Sequence, residues 1–108
     1  MRPEKVVFID ETLEKSFNEL NEAEPVKKGL IRAIKILQED AFSGRNVKKS
    51  IIPKSLILKY GLSNLWIYTL PDGWRMLYSL TNSGDVEVIA VVLDWMDHKD
   101  YERMFNFG

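Results

Sequence analysis

The hydrophobic pattern of this 108-residue chain changes period once, and that change limits the fold more than any other feature. In the first part, large apolar residues recur at helical spacing. Leu13, Phe17 and Leu20 follow Asp10 at such intervals, and Val26, Leu30, Ile34, Leu37 and Ala41 do so behind Pro25. From Leu65 onward the apolar residues come in short runs rich in β-branched and aromatic types, separated by turn signals. A chain that is helical first and strand-like afterwards reads as α+β, with a helical pair laid over a mainly antiparallel sheet.

The local signals fill in this outline. Lys5-Val6-Val7-Phe8-Ile9 predicts a short strand, and Asp10 or Thr12 caps the helix that follows. Pro25 suits the first turn of a second helix, where its missing N–H costs nothing. Lys27, Lys28, Arg32 and Lys35 fall mostly away from the apolar stripe of that helix. The stretch from Phe42 to Ser50 has no clean period and reads as a basic loop, with Gly44 as a helix stop. Pro53 opens a short helix ending at Gly61, a strand over Ser55 to Tyr60 being the alternative. Leu65 to Leu70 is a strand, Pro71-Asp72-Gly73 a turn, and Trp74 to Thr81 the return strand, with Trp74, Met76, Tyr78 and Leu80 on one face. Asn82 to Asp85 is a further turn. Val86 to Trp95 is a central strand, and Asp97 or Asp100 caps a last helix carrying Tyr101, Met104 and Phe105. The expected order is strand, helix, helix, loop, three-stranded meander and short helix, in two layers and one domain spanning residues 1–108.

Composition narrows the setting. The chain has no cysteine, so disulfides and thiolate metal sites are excluded. It has neither an apolar run of signal-peptide length near its start nor one of membrane-spanning length anywhere, so we expect a cytoplasmic protein without a membrane partner. The net charge of -1 conceals strong segregation. Residues 25–59 hold nine Lys and Arg against two acids, whereas the segments before and after each hold three against seven. A basic middle of this kind makes a local positive field that attracts phosphates, although a solvated helix face beside a Lys-rich loop has the same composition.

The strand run Asn64-Leu-Trp-Ile-Tyr-Thr-Leu70, the turn, and the run Gly73-Trp-Arg-Met-Leu-Tyr-Ser-Leu80 together resemble the RelE/ParE superfamily of toxin–antitoxin toxins. The likeness continues through Val88 to Asp94 and Asp97-His98-Lys99-Asp100-Tyr101, and upstream through Arg32 to Asp40 with Gly44. It covers nearly the whole chain, as a pattern rather than a single diagnostic motif. The resemblance implies a first strand lying beside the last and an antitoxin partner that wraps the domain. It also implies one of two activities: metal-free cleavage of mRNA on the ribosome, as in the RelE branch, or inhibition of gyrase, as in the ParE branch. No cofactor is expected.

Metal-free RNA cleavage requires a base for the 2′-hydroxyl, cations for the charged phosphorus centre and an acid for the leaving oxygen. Arg75 is the first candidate for the phosphate clamp, because a planar guanidinium holds two phosphate oxygens at once. A surface ion pair with Asp72 or Asp94 is the alternative. His98, the only histidine, is a side chain of the type that exchanges protons near neutrality, or else an exposed residue in the first turn of a helix. Tyr101 shares its helix face and can stack on a base, donate a proton, or simply pack. Lys48, Lys49 and Lys54, with Arg45, are candidate phosphate contacts in and near the basic loop, as the resemblance implies for that region.

Two other classes stay open. Asp94, Asp97, Asp100 and Glu102 repel RNA, and the sequence pI is about 5.8. Both features suit a non-enzymatic module on the same fold, ParE-like or a decayed toxin. Asp94, Asp97, His98 and Asp100 also include ligand types for a hard cation, although an Asp at a helix start is already explained as a cap.

Overall fold

The computed structural model describes residues 5–82 and 88–105. It is α+β, as the change of period requires. Strand β1 (Lys5–Phe8) leads into helices α1 (Glu11–Glu19) and α2 (Pro25–Glu39). A two-residue strand β2 (Arg45–Asn46), a 3₁₀ turn (Lys49–Ile51) and helix α3 (Lys54–Tyr60) follow. Strands β3 (Trp66–Thr69), β4 (Arg75–Asn82) and β5 (Val88–Met96) then precede helix α4 (His98–Phe105). The expected turn at Asn82 to Asp85 and the start of the last strand at Val86 fall at 83–87, outside the described residues.

The sheet runs β1-β5-β4-β3-β2. Strand β1 is parallel to β5, with Val7 opposite Val91, and β5, β4, β3 and β2 are antiparallel in turn. The first strand therefore lies beside the last. On one face, the α1–α2 hairpin buries Val26, Leu30, Ala33 and Leu37 against Met76, Tyr78, Ala90 and Val92, giving the two expected layers. The shorter helices α3 and α4 lie across the other face, where Leu56 packs with Ile67, Leu77, Leu93 and Met96. Each fully buried large side chain removes enough apolar surface from water to contribute about 1.5–3 kcal/mol.

Local chemistry accounts for the element ends. The Asp10 carboxylate accepts the Leu13 N–H at 2.8 Å and caps α1. Pro25 occupies the first turn of α2. Gly61, at φ 64°, closes α3, so the helical alternative holds over Ser55 to Tyr60. Between β3 and β4 both Asp72 (φ 59°) and Gly73 (φ 80°) are left-handed, and the Trp74 N–H returns to the Pro71 carbonyl at 3.3 Å. Asp-Gly is the pair that such a turn selects. Asp97, not Asp100, caps α4, accepting the Asp100 N–H at 2.9 Å.

Three expectations are corrected. Lys27 does not face solvent: it is 3% exposed. Its ammonium donates to the Phe17 carbonyl at 2.6 Å, lies 3.4 Å from Glu22 and sits over the Phe17 ring. That carbonyl also accepts the Leu20 N–H at 3.2 Å, so the ammonium adds a second, charge-assisted hydrogen bond at the carbonyl end of α1 and complements the helix dipole. Lys27→Met is expected to cost about 1–3 kcal/mol of stability in urea unfolding, since it removes a buried charge-assisted hydrogen bond and leaves that carbonyl only its longer bond from the Leu20 N–H. The second correction is Gly44, which is not the helix stop, because α2 ends five residues earlier. A Cβ there would stand 2.4 Å from the Tyr78 hydroxyl and 2.7 Å from the Ile67 carbonyl, so Gly44 is a point of close approach. The third is that the basic loop is not wholly irregular, because Arg45 and Asn46 pair with Ile67 and Trp66 as the outermost strand.

Tyr78 explains how that loop is held. Its hydroxyl donates to the Ala41 carbonyl at 3.1 Å and accepts the Gly44 N–H at 2.9 Å. Burial pushes its phenol up to about 12, a shift that the Gly44 hydrogen bond opposes. A group whose folded value is raised keeps its full stabilisation below the unfolded value, near 10, and loses it as pH climbs through the folded one. Stability is therefore expected to fall by about 2–3 kcal/mol more in the native chain than in Tyr78→Phe between roughly pH 10 and 12, read from urea unfolding along that range.

Candidate functional site

Alternation along β4 puts Met76 and Tyr78 under the α1–α2 hairpin and Arg75 and Leu77 on the α4 side. Register extends the row across the sheet. Arg75 is opposite Thr69 on β3, and Arg45 on β2 is opposite Ile67. Arg45 and Arg75 therefore stand on one face, near the same end of the sheet, with Thr69 between them.

Helix α4 folds back over this end and brings Tyr101 to both arginines. Arg45 Nη2 donates to the Tyr101 hydroxyl at 2.7 Å, and the Arg75 guanidinium carbon lies 5.0 Å from the centre of the Tyr101 ring. Arg75 Nη1 also donates to the Gly73 carbonyl at 2.8 Å and more weakly to that of Trp74 at 3.3 Å, which fixes the guanidinium at the turn. Neither Asp72 nor Asp94 pairs with it: among the described residues, Arg75 has no carboxylate within ion-pair distance. Because the Tyr101 oxygen accepts from Arg45, its own proton is left to donate, and no acceptor among the described residues takes it. Beside the cluster lies an open hollow of about 370 Å³ lined by Ser43, Gly44, Arg45, Ile67, Tyr68 and Thr69.

His98 is close but turned aside. It sits at the start of α4, packed so near the turn that a Cβ on Gly73 would lie 3.2 Å from its own Cβ. Its Nε2 is 3.1 Å from a Glu102 carboxylate oxygen, one helical turn on, and it is more than half exposed. Asp100 pairs with Arg103 at 3.1 Å. Asp94 lies on the α4 face of β5, opposite Leu77. Burial raises its carboxyl above the usual range, against the lowering effects of the Trp95 N–H and of Lys59. Among the described residues, no three of His, Asp and Glu gather closely enough to hold a metal ion, so the cation-site alternative has no cluster to rest on.

The structure thus brings together Arg45, Arg75 and Tyr101, with His98 at the margin. It does not bring in the loop lysines. Lys48 and Lys49 stand exposed at the 3₁₀ turn and Lys54 at the start of α3, and no hydrogen bond or ion pair joins them to the trio. Thr69 is the residue that sequence reasoning passed over. The signal for it was only its position at the end of the strand facing Arg75, which needs the register to be read. Two guanidiniums on either side of a phenol suit an anion with oxygens spread over a tetrahedral centre. Comparison with models of known protein families, with curated proteins and with solved structures finds no match to this chain. No helix among the described residues is long and apolar enough to cross a membrane.

Proposed function

We propose that the chain is a RelE-like toxin of a toxin–antitoxin pair, a metal-free endoribonuclease that cuts mRNA on the ribosome in the cytoplasm. The observation that carries this reading is the Arg45–Tyr101–Arg75 cluster, two cations sharing one phenol beside an open hollow. In this reading Arg75 and Arg45 hold the scissile phosphate and stabilise its added charge, and Tyr101 donates its free proton to a phosphate or leaving oxygen. His98 acts as proton acceptor for the 2′-hydroxyl once substrate draws it from Glu102. An antitoxin is the proposed partner; Leu58 on α3, at 85% exposed, and Ile51 and Phe42 are apolar side chains for such a partner to cover.

A second reading is favoured by one specific feature. His98 is engaged by Glu102, and α4, the helix that supplies Tyr101, also carries Asp100 and Glu102. These carboxylates fit a module that works through protein contacts alone. Purified ribosomes programmed with mRNA separate the two readings. Cleavage of the messenger near the decoding site, with growth arrest on expression of the chain alone, is the expected result. Intact messenger and harmless expression would leave only the second reading.

A further inference from the structure

We infer that the RNA track continues from the Arg45 hollow around the exposed end of β3 to a second phosphate subsite at Arg32 on α2. The inference rests on the reading that the Arg45–Arg75 cluster binds RNA. It starts from the shortness of β2. With only two residues, β2 pairs with Trp66 and Ile67 and stops, so Tyr68 and Thr69 have no strand on their outer side. The same two residues line both the hollow beside Arg45 and a second hollow of about 440 Å³ on the opposite face of the sheet. A flexible strand can pass over this open edge from one hollow into the other.

The far wall of the second hollow is α2, which presents Gly29, Arg32, Ala33 and Ile36 on one side of the helix. Gly29 sets the width of the hollow: a Cβ there would lie 2.8 Å from the Pro71 ring, so the helix approaches the turn as closely as glycine allows. Arg32 is exposed, and no carboxylate among the described residues pairs with it. Lys28 and Lys35 flank it, also exposed. Both acids of the basic middle segment lie at the far end of α2, where Glu39 is exposed and Asp40 accepts the Phe42 N–H at 2.9 Å, and neither lines the hollow. The second hollow therefore has Arg32, Lys28 and Lys35 on the helix that walls it and apolar residues within, and Tyr68 lines both it and the hollow beside Arg45. Alternating cations and aromatic faces along a groove suit a single-stranded polynucleotide, whose phosphates and bases alternate in the same way.

The test uses the full chain with a trinucleotide and a dodecanucleotide of uridine, their affinities followed by fluorescence anisotropy across a salt series. Arg45→Ala is expected to weaken both. Arg32→Ala is expected to weaken the dodecanucleotide by about fivefold to tenfold and to reduce its salt slope by about 0.7, one phosphate contact, while the trinucleotide binds as before. If Arg32→Ala leaves the dodecanucleotide unchanged while Arg45→Ala weakens both, the second subsite is wrong and the first stands. If the native chain binds neither RNA, or Arg45→Ala and Arg75→Ala change nothing, both fall. If Arg32→Ala spares RNA but abolishes binding of a polyglutamate peptide, the hollow is a protein contact and the inference is overturned.

Discussion

Arg75→Ala is expected to slow ribosome-dependent mRNA cleavage by about a hundredfold or more, the size of effect seen when one preorganised donor to a developing anion is removed. The geometry makes this residue the anchor of the site. Its guanidinium is held by the Gly73 carbonyl on one side and stacked on Tyr101 on the other, so its position is set before substrate arrives. The side chain is only half-buried and its two acceptors lie in a surface turn, so the cost in stability should stay near 1 kcal/mol. Arg75→Lys keeps the charge but lacks the planar fork, and should restore only part of the rate. Primer extension on ribosome-bound messenger, with urea unfolding of the same proteins, reads both quantities. An Arg75→Ala protein that cuts as fast as the native chain would remove the phosphate-clamp role.

Gly44→Ala is the change with the largest expected effect on the fold. The new methyl would lie within van der Waals distance of two atoms that cannot both retreat: the Tyr78 hydroxyl and the Ile67 backbone carbonyl. Moving either one disturbs the paired hydrogen bonds by which Tyr78 holds Ala41 and Gly44. Overpacking together with a buried polar group left unsatisfied is expected to cost about 2–4 kcal/mol, measured by urea unfolding. Arg45 follows Gly44 directly, so the same substitution should weaken apparent anion binding in proportion to the fraction of chains that it unfolds. A Gly44→Ala protein with native stability would show that the loop has more room than its contacts indicate.

The elements were legible where local signals and burial agree. Asp10, Pro25 and Gly61 mark helix ends that the structure keeps, and the period of β4 correctly separates Arg75 from Met76 and Tyr78. What could not be read was anything that depends on one segment meeting another. Lys27 looks solvent-facing on a helical wheel, but the end of α1 comes down on it and its ammonium becomes a cap. Gly44 looks like a helix stop and is instead the point where a loop passes over Tyr78. The strand character of Arg45 and Asn46 comes entirely from β3, since two residues carry no period of their own. In the site, residue types chosen for their chemistry included the three that meet, but the choice among cations was decided by register. Arg45 lies directly across from Ile67 and reaches Tyr101, whereas Lys48, Lys49 and Lys54 lie beyond the end of β2 and do not join it.

The pairing of β1 with β5 bears on how the protein is made. Lys5 to Phe8 dock against Ile89 to Val92, so β1 must wait until β5 is made before it finds its neighbour. The α1–α2 hairpin waits as well, because Met76, Tyr78, Ala90 and Val92 form the surface it covers. Closing so long a loop adds entropy cost and slows folding relative to a protein built from local contacts. A nascent chain whose β5 is still threaded in the ribosome therefore has neither a finished sheet nor the surface that the hairpin covers, and Arg45, Arg75 and Tyr101 meet only after that strand has emerged.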